Sequence, residues 1–107
     1  MYLEPVATWT NPRVNVFESD EGFSVEIIGR ASFPEVTLRY IEGRHTMDVF
    51  AEALASPADF AIRKSDLRKW SAPHDEEGLD DPVRDHLLEN IRTALAYGGY
   101  VNVEIED

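Results

Sequence analysis

The sequence predicts an α+β fold: a mostly antiparallel sheet of about five or six strands packed on one C-terminal amphipathic helix over residues 81–97, with a final strand over 100–106. Three observations predict it. Apolar residues recur with period two from Val14 to Phe50, one stretch after Asp81 switches to a helical period, and period two returns at Val101, Val103 and Ile105. Strands that precede a single helix and one last strand place that helix on one face of the sheet.

Residues 1–12 carry Pro5, Trp9, Asn11 and Pro12 without a sustained period, which reads as an extended arm whose Trp9 packs elsewhere. From Arg13, Val14 and Val16 alternate with Asn15; beyond Ser19-Asp20-Glu21-Gly22, Phe23, Val25 and Ile27 alternate with Ser24 and Glu26. This is a hairpin closed by Gly22, which supplies a positive φ at low cost. Gly29 to Pro34 is a connector. Val36, Leu38 and Tyr40 then alternate with Thr37 and Arg39, Glu42-Gly43 turns the chain, and Met47 and Val49 belong to a return strand from Arg44 to Phe50. Ala51 to Ala55 fits either a helical turn or more strand, and Ser56-Pro57 ends it. Phe60-Ala61-Ile62 is a brief strand, and Ser65 is placed to cap a short turn that runs into Trp70.

Ser71 to Gly78 is polar, acidic and bounded by Pro73 and Gly78, the composition of an exposed loop. The helix follows with Asp81 as the expected N-cap, Pro82 at the first helical position and Asp85 near the positive end of the helix dipole. Val83, Leu87, Leu88, Ile91 and Leu95 form its apolar stripe, and Gly98-Gly99 ends it. In the last strand Val101, Val103 and Ile105 alternate with polar residues, the pattern of one packed and one wet face.

Composition bounds the function. The 107 residues amount to one domain, expected over 1–107, and a two-domain enzyme is excluded. Ten Lys and Arg against 21 Asp and Glu leave a formal charge of −11, which argues against binding nucleic acid and leaves two readings of the charge, solubility alone, the commoner case for an acidic domain, or a basic protein partner. Hydrophobic residues at 43% are enough for a core despite that charge. The absence of cysteine removes disulfides, thiolate metal sites and a cysteine nucleophile, and suits the cytoplasm. The start Met1-Tyr2-Leu3-Glu4-Pro5 has no basic region followed by an apolar run, and no stretch reaches the roughly 20 apolar residues of a membrane span. The expectation is a chain with no leader and no membrane contact.

Candidate chemistry is sparse. His74, Asp75 and Glu77 would make a mixed nitrogen and oxygen metal site were they to converge with His86, but neighbours on one loop rarely share a ligand geometry and no His-x-x-x-His spacing exists. The glycines form no phosphate-binding loop, and no serine stands in a Gly-x-Ser-x-Gly elbow. With 21 acidic residues some close carboxylate pair is expected by chance. The sequence therefore predicts no catalytic residue, no metal and no cofactor. What stands out is an acidic cluster beside aromatic and proline residues: Trp70, Pro73, His74, Asp75, Glu76, Glu77, Asp80 and Asp81. Acids on a loop can steer a Lys- and Arg-rich partner while an aromatic anchor resists dissociation. The plainer reading makes Trp70 core and lets the acids solvate the helix entry. Both readings stay open at this point.

Tyr40-Ile41-Glu42-Gly43-Arg44, Glu52-Ala53-Leu54, Phe60, Ser65, Trp70 and Pro73, followed by the acidic helix start with Leu88 and Ile91, resemble the immunity protein 74 family over residues of about 36–106. The segment of Ser65, Trp70 and Pro73 is its most specific part. That family comprises small bacterial proteins encoded beside polymorphic toxins and inferred to neutralise them. The resemblance implies a non-catalytic protein whose partner is a cognate toxin, and the charge favours a basic one such as a nuclease. The alternative is a small accessory or regulatory domain that self-associates as a homodimer through its sheet.

Overall fold

The structure, a computed structural model, describes residues 8–28, 35–54 and 59–106. Within these lie seven strands, β1 (Trp9–Thr10), β2 (Val16–Ser19), β3 (Phe23–Ile28), β4 (Glu35–Glu42), β5 (His45–Ala53), β6 (Phe60–Arg63) and β7 (Val103–Glu106), and one helix, α1 (Asp81–Tyr97). The connector over 29–34, the Ser56-Pro57 stop and the first seven residues of the arm fall outside the described residues.

The strands form one sheet in chain order from β1 to β7. Each neighbouring pair is antiparallel except β6 and β7, which are parallel. The exception has a simple cause: α1 lies between β6 and β7 in the chain and carries it back so that β7 runs alongside β6. The architecture is the α+β class expected, with seven strands rather than five or six.

The added strand is β1, inside the segment expected to be an irregular arm. Two residues are too few to show a period, but Trp9 pairs with Ser19, stacks on Tyr97 at 5.4 Å and meets the edge of Phe23 at 5.5 Å. The first hairpin also starts later than its alternation suggested. Asn15 takes a positive φ of 63°, which asparagine tolerates, and this turns the chain so that Val14 is 85% exposed and β2 begins at Val16. Val16 and Phe17 are then both buried, which breaks the expected alternation.

The central hairpin follows its pattern closely. Glu42 pairs with His45 across a two-residue turn in which Gly43 has φ 62°, and β4 and β5 alternate buried and exposed residues along most of their length. The strand option holds for Ala51, since β5 continues to Ala53. Ser65 lies inside a 3₁₀ turn, Lys64–Asp66, and makes no capping bond there; Arg63 stands at that cap position.

Helix α1 spans the expected residues, with a shift of one at its start. Asp80, not Asp81, is the N-cap, and its Oδ1 accepts from the Val83 N–H at 3.0 Å. Asp81 and Pro82 are the first two helical residues. At the other end Gly99 takes the positive φ, 100°. Leu87, Leu88, Ile91, Ala94 and Leu95 face the sheet and join Val25, Val36, Leu38, Val49 and Ile62 in one core, while Val83 is half-buried. Each large aliphatic side chain there contributes roughly 1.5–3 kcal/mol by leaving water. The last strand is shorter and wetter than its sequence suggested: it starts at Val103, which alone is half-buried, and Ile105 is 41% exposed at the sheet edge.

Candidate functional site

The acidic loop starts from a buried residue. Trp70 sits in the core, 9% exposed, beside Tyr40 and against the edge of His45. The next residue is tied to the sheet, because the Ser71 N–H donates to the Thr46 carbonyl at 2.8 Å. Two successive turns follow, with the His74 N–H bonded to the Ser71 carbonyl and the Glu77 N–H to the His74 carbonyl, both at 3.1 Å. Leu79 then returns to the core, and Asp80 caps α1. The loop is thus pinned at both ends and lies over the β4–β5 hairpin and the start of the helix.

This path decides where each candidate residue goes. Pro73, Asp75, Glu76, Glu77, Asp80 and Asp81 are exposed, His74 is half-buried, and Trp70 is beneath them. Asp75 and Glu76 make no hydrogen bond or ion pair among the described residues, so their charges face solvent. Asp81 is engaged in exposed ion pairs with Arg84 at 3.3 Å and Lys64 at 3.9 Å.

Sequence reasoning missed the residues that the sheet brings to the loop. His45 is two positions from buried Met47 and shares its face, so it points to the helix side at the end of the sheet. Its ring stacks on His74 at 3.9 Å, and its Nε2 lies 2.9 Å from Glu77 Oε1, while His74 Nδ1 lies 2.6 Å from Glu77 Oε2. The two imidazoles hold the exposed Glu77 carboxyl below the ordinary carboxylate range. Asp75 and His86, which the sequence grouped with His74 and Glu77, take no part in this contact; His45 takes their place. The signal available was the strand alternation that sets His45 on Met47's face.

A second polar group lies alongside. The buried Tyr40 hydroxyl donates to Glu42 and accepts from Asn90 Nδ2 at 2.8 Å, and Asn90 in turn meets His86 Nε2 at 3.2 Å. Burial, and then the bond to Glu42, raise the Tyr40 pKa well above the ordinary tyrosine range, so the phenol stays protonated. His86 Nε2 is 3.8 Å from Glu42. Together Glu42, His45, Trp70, Glu77, His86 and Leu87 line a cleft of about 350 Å³ between the hairpin, the loop and the helix. Among the described residues the histidine ring nitrogens meet Glu77, Asn90 and Glu42. Such a cleft can bind cationic or hydrogen-bonding groups.

Fold and site together define a small α+β protein in which one helix backs an open sheet and an anchored acidic loop closes one end. Comparison with known families identifies the particular one: residues 34–106 match the family described as immunity protein 74, and the chain belongs to that family. Membership makes it an immunity protein, a toxin-neutralising partner of a cognate toxin rather than an enzyme. The match takes in β4 to β7, α1 and the whole acidic loop, and leaves β1, β2 and β3 outside. No curated protein and no solved structure matches the chain. No helix among the described residues is long and apolar enough to cross a membrane.

Proposed function

We propose that the protein neutralises a basic toxin domain, such as a nuclease, by presenting the loop over residues 73–81 to it as one recognition surface. The observation that carries this reading is the position of Asp75 and Glu76, two solvent-facing acids without partners among the described residues, on a loop pinned by Trp70 and by the helix cap. A pinned loop loses little conformational freedom on docking, and unpaired charge steers a cationic partner. The chain's net charge of −11 adds a long-range attraction of the same sign. Glu77, Asp80 and Asp81 flank the contact, Pro73 and His74 shape it, and Trp70 supports it from below. The protein acts as a single domain in the cytoplasm, where a cysteine-free chain is at home.

The test is the association rate with the cognate toxin domain. The double variant Asp75→Lys/Glu76→Lys should associate at least about tenfold more slowly at low salt, with the difference shrinking as salt rises, and should keep its melting temperature. An unchanged rate would move the toxin surface elsewhere.

A second reading has its own observation. The sheet face opposite α1 is uncovered by any described element and carries Phe50, 64% exposed, which supports a self-associating role.

A further inference from the structure

We propose that His45, His74 and Glu77 bind one divalent transition-metal ion, zinc by preference, which clamps the acidic loop to the β4–β5 hairpin. The inference does not rest on the toxin reading. It starts from convergence: one ligand atom from each of these residues lies within 4.8 Å of the others, although His45 is 32 residues from Glu77 in the chain. Both imidazoles direct a nitrogen at the one carboxylate, at 2.9 and 2.6 Å, and their rings lie 3.9 Å apart at an interplanar angle of 23°.

Two nitrogens and one carboxylate from separate segments of the chain converge here as a donor set for one dication. The two contacts run to different oxygens of Glu77, and a metal ion seated between the ring nitrogens and the carboxylate takes a lone pair from each nitrogen and from one oxygen, replacing any proton those nitrogens carry. In a tetrahedral site with bonds of 2.0–2.1 Å the donor atoms stand about 3.3 Å apart. The two short contacts therefore open by less than an ångström while the widest donor pair, at most 4.8 Å, closes by no more than about 1.5 Å, through rotation of the exposed Glu77 side chain and the loop-borne His74.

The donor set selects the ion. Two imidazoles and a carboxylate suit zinc and its neighbours, whereas magnesium and calcium favour all-oxygen shells. Support around the ligands is also present. The Trp70 and His45 rings meet edge to face with centroids 4.9 Å apart, and the turn bond from the Glu77 N–H to the His74 carbonyl, 3.1 Å, fixes the spacing of the two loop ligands. Because the ligands come from two segments that meet only in the folded chain, binding stabilises the fold.

The experiment is a zinc titration of the chelator-stripped protein, read by competition with a chromophoric chelator and by melting temperature, with magnesium as the parallel probe. One zinc ion per chain is expected, with a rise in melting temperature that a chelator reverses and no comparable effect of magnesium. His45→Gln and His74→Gln should each weaken zinc binding by at least about tenfold, while His86→Gln should leave it unchanged. Circular dichroism of the metal-free variants checks their folding; should His45→Gln fail to fold, His74→Gln on the exposed loop decides alone. Absence of zinc binding, equal binding of magnesium, or zinc binding as tight in His74→Gln as in the parent would overturn the proposal.

Discussion

The ring of Phe17 lies against the backbone of Gly98, so close that a Cβ at Gly98 would stand 2.3 Å from Phe17 Cζ. Phe17 is 5% exposed and its ring also meets Tyr97, so a shift away from Gly98 would disturb that packing. The contact ties β2 to the end of α1. Gly98 is therefore required by packing, while the neighbouring Gly99, with its φ of 100°, is required by conformation.

Gly98→Ala should destabilise the protein by about 1–3 kcal/mol through overpacking, less a few tenths regained from the stiffer unfolded chain. Chemical denaturation measures this. Phe17→Leu should be destabilising alone yet recover part of the Gly98→Ala loss in the double variant. Additive losses would show that the two residues do not share a contact.

Tyr40 sets an alkaline limit on stability. Its folded-state pKa is raised by burial and by the bond to Glu42, so above roughly pH 10, where an unfolded tyrosine ionises, the native state retains a proton that the unfolded state releases. Stability from this source is complete below that pH and falls as pH rises further. The slope of unfolding free energy against pH between about 10 and 11.5 should be shallower in Tyr40→Phe than in the parent. Identical slopes would assign alkaline unfolding to other groups.

The start of α1 separates two adjacent aspartates. Asp80 accepts the Val83 N–H, whereas Asp81 makes exposed ion pairs with Arg84 and Lys64. Asp80→Ala should cost about 1 kcal/mol, and Asp81→Ala a few tenths. The reverse order in a thermal or denaturant comparison would return the cap to Asp81.

Sequence periodicity was enough for the central hairpin and the helix because each buries one face, so that alternation and the three-four stripe are written in the residues themselves. It failed where the backbone departs from regularity. Asn15 turns the chain at a positive φ and leaves Val14 in water, so an apolar residue in step with Val16 carried no information on burial. β1 is two residues long, and its place depends on long-range contacts of Trp9 with Phe23 and Tyr97. The site was half legible. The loop composition marked His74 and Glu77, but their partner His45 reaches them through the fold, and nothing local to residues 71–78 announces it.

Phe50 tests the uncovered face of the sheet. It shares a shallow cleft of about 380 Å³ with Glu35, Glu52, Asp66, Glu106 and Arg63, so one cation stands among four acids. Two copies stacked through this face would bring like charges together and bury few opposite ones, which costs more than one aromatic side chain returns. The expectation is a monomer in sedimentation at about 0.15 M salt, with self-association gaining only as salt screens the acids. A dimer at low salt that Phe50→Ser abolishes would favour the self-associating reading.

Trp70 separates support from contact. It lies in the core beneath the loop, 9% exposed, and touches Tyr40 and His45. Trp70→Ala should cost about 3–5 kcal/mol in denaturant unfolding, the range for deleting a buried aromatic side chain, and should free the loop from the sheet. Trp70→Phe fills much of the space and should cost far less. The comparison between the two then decides the role, because both remove the indole but only one removes the support. If Trp70→Phe keeps near-native stability and near-native toxin affinity, the indole acts by holding Asp75 and Glu76 in place from below. If it keeps stability but loses affinity, the indole itself reaches the partner, which requires the loop to open on binding.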